Sequence, residues 1–225
     1  GDDGTLWGGE TFLGTPGHWQ RAAHLRPFRL PGGDRAGRAP WRSAAAVCWE
    51  LDRDCPIDVP DSIVRTAWER RVNSPQSSAA GRLFDAASAI ILGLGETSFE
   101  GQGPMWLEAI ARDPAAFPRL ELRSTVEGRL ELDWAPLVDW LLQAPPTSAA
   151  GRADCAGAVH ASLADGIVQI VDRLRALSGS SVVGLTGGVF QNRRLTEAAL
   201  AGLSARGFDV LLPVQLPCND GGLSY

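Results

Sequence analysis

The sequence predicts an α/β fold on three observations: two strand hairpins, several stretches of 3.6-residue apolar periodicity, and a strand, Gly-Gly, helix, strand unit near the C-terminal end. Leu6, Trp7, Phe12 and Leu13 alternate up to a break at Thr15-Pro16-Gly17, and Trp19 to Phe28 then runs on toward Leu30, which reads as a hairpin. Pro31-Gly32-Gly33-Asp34 is a turn whose aspartate can cap the next helix, and residues 35–51 form that helix, alanine- and arginine-rich with Pro40 near its start. A second helical stretch covers 60–72. The clearest helix is 79–94, with Leu83, Phe84, Ala87, Ile90, Ile91 and Leu94 on one apolar face. Asp85 then points away from that face among Gly81, Ser78 and Ala89, small neighbours that let a large ligand approach a carboxylate. A further helix begins near Pro104 and turns Trp106 and Ile110 inward. Leu120, Leu122, Leu130 and Leu132 alternate with charges about Glu127-Gly128, a second hairpin. From 153 to 177, Ala156, Val159, Leu163, Ile167, Ile170, Val171, Leu174 and Leu177 keep helical spacing in one long core helix. Ser181 to Leu185 is a strand, 189–206 a helix and Val210 to Leu212 a strand, with a loop at Pro217 to Gly222.

Composition narrows the chemistry. With 225 residues, 44% of them hydrophobic and 21% charged, the chain can bury a real core. All 21 basic residues are arginine, which removes a Walker-type phosphate lysine and any Schiff-base lysine. A net charge of -5 argues against non-specific nucleic-acid binding. The 4 cysteines, Cys48, Cys55, Cys155 and Cys218, form no paired CxxC clusters, so a structural zinc site is not expected. No apolar run reaches the roughly 18 residues of a membrane span and no signal peptide is recognisable, which points to a reducing, cytoplasmic setting without membrane partners. The chain opens on Gly1 without an initiator methionine, and part of a longer protein is expected.

Four places can carry chemistry. The first is the strand-to-helix junction Leu185 to Asn192, where Gly187 and Gly188 let backbone approach a ligand and the following helix N-terminus suits a phosphate; a plain chain-reversing turn is the alternative. The second is Gly1 to Glu10, where Gly4 and Thr5 sit in a small-residue, acidic turn resembling the phosphate hairpins of actin-like domains, or else a solvated turn. The third pairs Asp85 with Glu108 as acceptors for two ribose hydroxyls, although Arg112 at i+4 also makes Glu108 an ordinary surface ion pair. The fourth is Asp220, a metal ligand or an Asn-Asp-Gly turn. His160, alone on the long helix, reads as a hydrogen-bonded core residue rather than a catalyst, and Cys218 has no histidine near it in sequence to activate it.

These motifs recur in one order in a known family. The segments Asp3-Gly4-Thr5-Leu6-Trp7-Gly8-Gly9-Glu10, His24-Leu25-Arg26-Pro27-Phe28 with Leu30-Pro31-Gly32-Gly33-Asp34, Asn73-Ser74-Pro75 with Gly81-Arg82-Leu83-Phe84-Asp85-Ala86, Phe99-Glu100-Gly101-Gln102, Thr186-Gly187-Gly188-Val189-Phe190-Gln191-Asn192 and Asn219-Asp220-Gly221-Gly222-Leu223 together resemble the C-terminal carbamoyltransferase domain of hydrogenase maturation factors of the HypF family, over almost the whole chain. The resemblance implies an actin/hexokinase-like (ASKHA) α/β nucleotide-binding fold, here incomplete. It implies one carbamoyltransferase domain, with residues 1–32 and 181–225 supplying the strands of a nucleotide and metal lobe and 33–180 a mostly helical lobe. It also implies transfer of a carbamoyl group from carbamoyl-adenylate, made elsewhere in the protein from carbamoyl phosphate and ATP, to the C-terminal cysteine of HypE. By the same resemblance Gly4, Thr5, Asp85, Glu108, Gly187, Gly188 and Asn192 contact the nucleotide and Asp220 binds a divalent metal whose histidine ligands lie upstream of Gly1, so the isolated chain is expected to be inactive. An actin-like small-molecule kinase using Asp2 or Asp3 as base, an O-carbamoyltransferase and a non-catalytic nucleotide-binding remnant remain open alternatives.

Overall fold

The computed structural model describes residues 1–60 and 62–224. Strands β1 (Glu10–Thr15) and β2 (His18–Leu25) form the first hairpin about Pro16 and Gly17. The short β3 (Phe28–Arg29) leaves that sheet and pairs instead with β4 (Gln76–Ser77). Leu6 lies outside β1 and makes a single bridge to Ser77. The second hairpin, β5 (Glu121–Ser124) and β6 (Leu130–Asp133), joins the first through a parallel β2/β6 pairing, giving a four-stranded sheet in the order β1, β2, β6, β5. Residues 1–32 therefore pair with a strand inside the 33–180 segment. Among the described residues no strand pairing joins 1–32 to 181–225, because β7 (Val182–Gly184) and β8 (Asp209–Leu211) make a separate parallel pair.

Helix α1 (Pro40–Glu50) starts with Pro40 at its first turn, where a missing N–H costs nothing; Asp34 makes no side-chain cap and instead lies in a 3-10 turn, Gly33–Arg38. Helix α2 (Ser62–Glu69) comes next. Helix α3 (Ala80–Leu92) is the hub: α1, α4 (Gln102–Ile110), α5 (Ala135–Gln143) and α6 (Ala149–Ser178) all pack on it. Alanines at 44, 45 and 46 of α1 and at 86 and 89 of α3 are fully buried. Such small residues let helix axes approach closely.

Three residues expected to point inward are exposed. Trp106 and Ile110 are 47% and 38% exposed, because α4 docks through Gly103 and Leu107 instead. A Cβ at Gly103 would collide with Ser88 of α3, and that contact sets which face of α4 turns in. Leu177, in the last turn of α6, is likewise exposed; helix α7 (Arg193–Ser204) packs on α6. Gly157 of α6 is required by close approach: a Cβ there would stand 1.8 Å from the Arg112 carbonyl oxygen, which locks the chain leaving α4 against α6.

Candidate functional site

The glycine turn after β7 is open on one side and stitched on the other. Gly187 adopts φ 106°, ψ 156°, a conformation essentially reserved for glycine, and nothing stands within 4 Å of where its Cβ would be. Its N–H donates to the Cys218 carbonyl at 2.6 Å, and the Thr186 hydroxyl donates to the same oxygen at 3.3 Å. A Cβ on Gly188 would lie 3.8 Å from that of Asn219. The turn thus meets the 217–222 loop, bringing Gly187, Gly188 and the chain around Asp220 together. Asp220 itself is exposed, in a turn closed by the Asn219 side chain and carbonyl, which accept from the amides of Gly221 and Gly222.

The junction does not run straight into a helix as expected. A 3-10 turn, Gly188–Gln191, intervenes and α7 begins only at Arg193, because Asn192 is its N-cap: Asn192 Oδ1 accepts from the Leu195 amide at 2.9 Å. The amides of Gly188 and Val189 take no partner among the described residues. The N-terminus of α7 is already served. Glu108 Oε1 accepts from the Arg193 amide at 2.7 Å and the Arg194 amide at 3.4 Å, so a carboxylate from α4 sits on the positive end of the helix dipole. Glu108 is therefore not paired with Arg112, which forms a fork with Asp154 on α6. His160 completes this corner. It is 1% exposed, and its Nδ1 donates to the Ala156 carbonyl at 2.7 Å, leaving Nε2 to accept from Asn192 Nδ2 at 2.9 Å. Burial pushes its pKa down, keeping the ring neutral, and Phe84 packs on it with centroids 5.1 Å apart. The reading of His160 as a bonded core residue holds.

At the N-terminal turn Gly4 has φ 75° with open space around it, and Thr5 is held by Asp3. Asp3 Oδ1 accepts from the Thr5 hydroxyl at 2.6 Å, the Thr5 amide at 3.0 Å and Trp7 Nε1 at 3.0 Å, while Oδ2 pairs with Arg21 at 2.7 Å. These donors, the Thr5 hydroxyl first, hold the Asp3 carboxyl well below the usual carboxylate range. Glu10, almost fully buried, accepts from the Gly8 and Gly9 amides and from Ser78, and pairs with Arg21 at 2.9 Å. Arg21 was not singled out by sequence, and Ser78 and Glu10 were named there only as a neighbour of Asp85 and a motif residue; the Ser78–Glu10 bond spans 68 residues.

Asp85 departs most from expectation. Its side chain is 2% exposed, because every residue of α3 from Leu83 to Ile91 is buried. Arg82 Nη1 stands 2.8 Å from Asp85 Oδ2 without hydrogen-bond alignment, and Arg82 Nη2 binds Glu100. Burial, partly offset by Arg82, pushes the Asp85 carboxyl up to about 7. Asp85 and Glu108 share no partner, and among the described residues no hydrogen bond joins the Gly4-Thr5 turn to the Gly187-Gly188 turn. No group of three or more His, Cys, Asp or Glu among the described residues converges to hold a metal, so Asp220 is part of no such group within them.

The family described as "Carbamoyltransferase, Kae1-like Domain, second subdomain" (HypF_C_2) matches residues 1–225. The chain belongs to that family. It is 37% identical to a "Carbamoyltransferase HypF homolog" of Cupriavidus necator and 40% identical to the "Carbamoyltransferase HypF" of Rhodobacter capsulatus, aligned over 100% of this chain and over 60% and 30% of theirs. The chain thus spans less than two thirds of these curated relatives. A crystal structure of full-length HypF in its phosphate- and nucleotide-bound form superposes with TM-score 0.87 at 27% identity, over 100% of this chain and 30% of that one; T. kodakarensis HypF gives 0.82 at 25% identity, over 98% and 31%. The resemblance drawn from the motifs and the actin/hexokinase-like (ASKHA) α/β class are both borne out, the latter as a mixed α/β HypF Kae1-like domain.

Proposed function

We propose that this chain is the nucleotide-holding part of a HypF-type carbamoyltransferase, the protein transferring a carbamoyl group from carbamoyl-adenylate, formed from carbamoyl phosphate and ATP, to the C-terminal cysteine of HypE. The observation that carries the reading is the Gly187-Gly188 turn, with amides at Gly188 and Val189 that take no partner among the described residues, in a chain that superposes on a nucleotide-bound HypF. Backbone N–H groups aimed at one point stabilise charge on phosphate or carbamoyl oxygen without reorganising. In the step itself the cysteine sulfur attacks the carbamoyl carbon, the bond from that carbon to the adenylate oxygen breaks, AMP leaves, and the thiol proton passes to solvent or base. Holding the adenylate at the turn supplies orientation rather than bond-making groups. The open Gly4 turn beside Thr5 is a second contact for the nucleotide in this reading. Glu108 and Asn192 act on it from behind, by fixing α7.

Divalent-metal chemistry at Asp220 needs further ligands that the described residues do not bring together, and no step is routed through it. The kinase alternative is disfavoured by Asp3: its oxygens are taken by Thr5, Trp7 and Arg21, and a carboxylate with a depressed pKa is a weak base. No described helix is long and apolar enough to cross a membrane. All 4 cysteines are free, which suits a reducing cytoplasm. The test uses the full-length protein with carbamoyl phosphate, ATP and a peptide ending in the HypE cysteine. Mass spectrometry is expected to find S-carbamoyl peptide and AMP, with the yield cut at least tenfold by Gly188→Val. A phosphorylated product, or carbamoyl transfer untouched by Gly188→Val in a folded protein, sinks the proposal.

A further inference from the structure

We propose that His160 is a positioning residue for the nucleotide turn: its Nε2 lone pair fixes the amide of Asn192, and through it the hinge between the Gly188–Gln191 turn and α7. The inference rests on the nucleotide reading of that turn. Its geometry is independent of it. Asn192 is the last residue before α7, so its side chain is the link between helix and turn.

An asparagine amide has two orientations related by a half-turn, and nothing in Asn192 itself selects one. The surroundings do. The Leu195 amide needs an acceptor, which draws Oδ1 to it at 2.9 Å. Nδ2 then faces His160 Nε2 at 2.9 Å, which must be an acceptor. It is one because Nδ1, 2.7 Å from the Ala156 carbonyl one helical turn back on α6, can only donate there. The main chain of α6 therefore dictates the tautomer, the tautomer dictates the amide, and the amide caps α7. Further side-chain bonds tie the same hinge: the Thr196 hydroxyl donates to the carbonyls of Phe190 and Asn192, both at 2.9 Å. His160 is 1% exposed with Phe84 of α3 across its face, so the ring touches no ligand and works only through Asn192.

Protonation reverses the logic. Imidazolium presents an N–H to Asn192 Nδ2, donor against donor; the amide is then driven to flip, and the Leu195 amide loses its acceptor. The charged groups acting on the ring are Glu108 from α4, which favours the cation, and Arg194 from α7, which opposes it; the facing side chain of α3 is the uncharged Phe84. Desolvation is the largest influence and keeps the ring neutral.

The experiment measures binding of a non-hydrolysable ATP analogue by calorimetry, from pH 5 to 8, to the full-length protein and to its Asn192→Ala, His160→Leu and His160→Gln forms. Asn192→Ala and His160→Leu are each expected to weaken binding about fivefold at pH 8, the worth of one oriented hydrogen bond. His160→Gln, whose amide oxygen can accept from Asn192, is expected to restore affinity to within about twofold. Unaltered protein should lose affinity toward pH 5 more steeply than His160→Gln, which has no ring to protonate, and the ring nitrogens should show one protonated and one bare 15N resonance at pH 8. If Asn192→Ala weakens binding while His160→Leu does not, or if the pH profiles of unaltered protein and His160→Gln coincide, the positioning role is overturned and the nucleotide reading stands. If Asn192→Ala leaves affinity unchanged, the nucleotide reading of the hinge falls and takes this role with it. Should His160→Leu fail to fold, the profiles of unaltered protein and His160→Gln decide alone.

Discussion

Replacing Asp85 by asparagine is expected to stabilise the protein above neutral pH and to do so less in acid. The carboxyl moves from its ordinary 3.8 to about 7 on folding, chiefly because burial penalises the charged form. Between those values the folded state keeps a proton that the unfolded chain has released, so stability falls as pH rises through the window and levels off above it. About three units at 1.36 kcal/mol each give roughly 4 kcal/mol of penalty at alkaline pH, of which about 2.5 accrue between pH 5 and pH 8. Arg82 is the counterweight. Its Nη1 lies 2.8 Å from Oδ2 but is misaligned for a hydrogen bond, and its other nitrogen is engaged by Glu100, so attraction does not repay desolvation. Asp85→Asn keeps the shape and removes the titration. Urea unfolding of both proteins at pH 5 and pH 8 measures it, and other titrating groups cancel in the difference. The advantage of Asp85→Asn should grow by about 2.5 kcal/mol from pH 5 to pH 8. A constant difference, or one that turns against asparagine at pH 8, would refute the reasoning and make the ionised pair with Arg82 the dominant effect.

Gly187→Ala, which meets open space but cannot relax φ 106°, should cost about 1–3 kcal/mol of stability by urea melt and weaken nucleotide binding, whereas Gly188→Ala, at an ordinary 3.8 Å contact, should stay within about 0.5 kcal/mol. Glu108→Gln removes the charge but keeps an acceptor on the Arg193 amide, and should lower stability by less than about 1 kcal/mol; Glu108→Ala should cost about 0.5–2 kcal/mol and fray α7 in hydrogen exchange.

What the sequence made legible is what repeats locally. The apolar spacing over 79–94 and 153–177 became α3 and α6, and the breaks at Pro16-Gly17 and Glu127-Gly128 became hairpin turns. What it hid depends on partners far along the chain. A helical wheel places Asp85 opposite Leu83, yet residues 83–91 of α3 are buried on all faces, so the carboxylate is buried although it points away from the apolar stripe. Arg82, at i-3, was the one local sign of a carboxylate needing a counter-charge. Arg112, at i+4 from Glu108, gave the opposite impression: it pairs with Asp154, while Glu108 caps amides 85 and 86 residues away. The motif at Gly187-Gly188 was readable because a left-handed backbone needs glycine whatever surrounds it.

That difference alters the site. Read from sequence, a phosphate belongs on the helix N-terminus after the glycines; in the structure α7 is closed to it, its first amides bound to Glu108 and its cap made by Asn192. An anion brought to that end would displace or repel a carboxylate of the same sign a few ångströms away. The unfilled donors lie one turn earlier, at Gly188 and Val189, beside the space that glycine leaves at 187. By satisfying α7, Glu108 leaves the unpartnered amides of the junction, among the described residues, at Thr186, Gly188 and Val189, and in the proposed reading phosphate or carbamoyl oxygen takes that glycine side of the turn rather than the helix N-terminus.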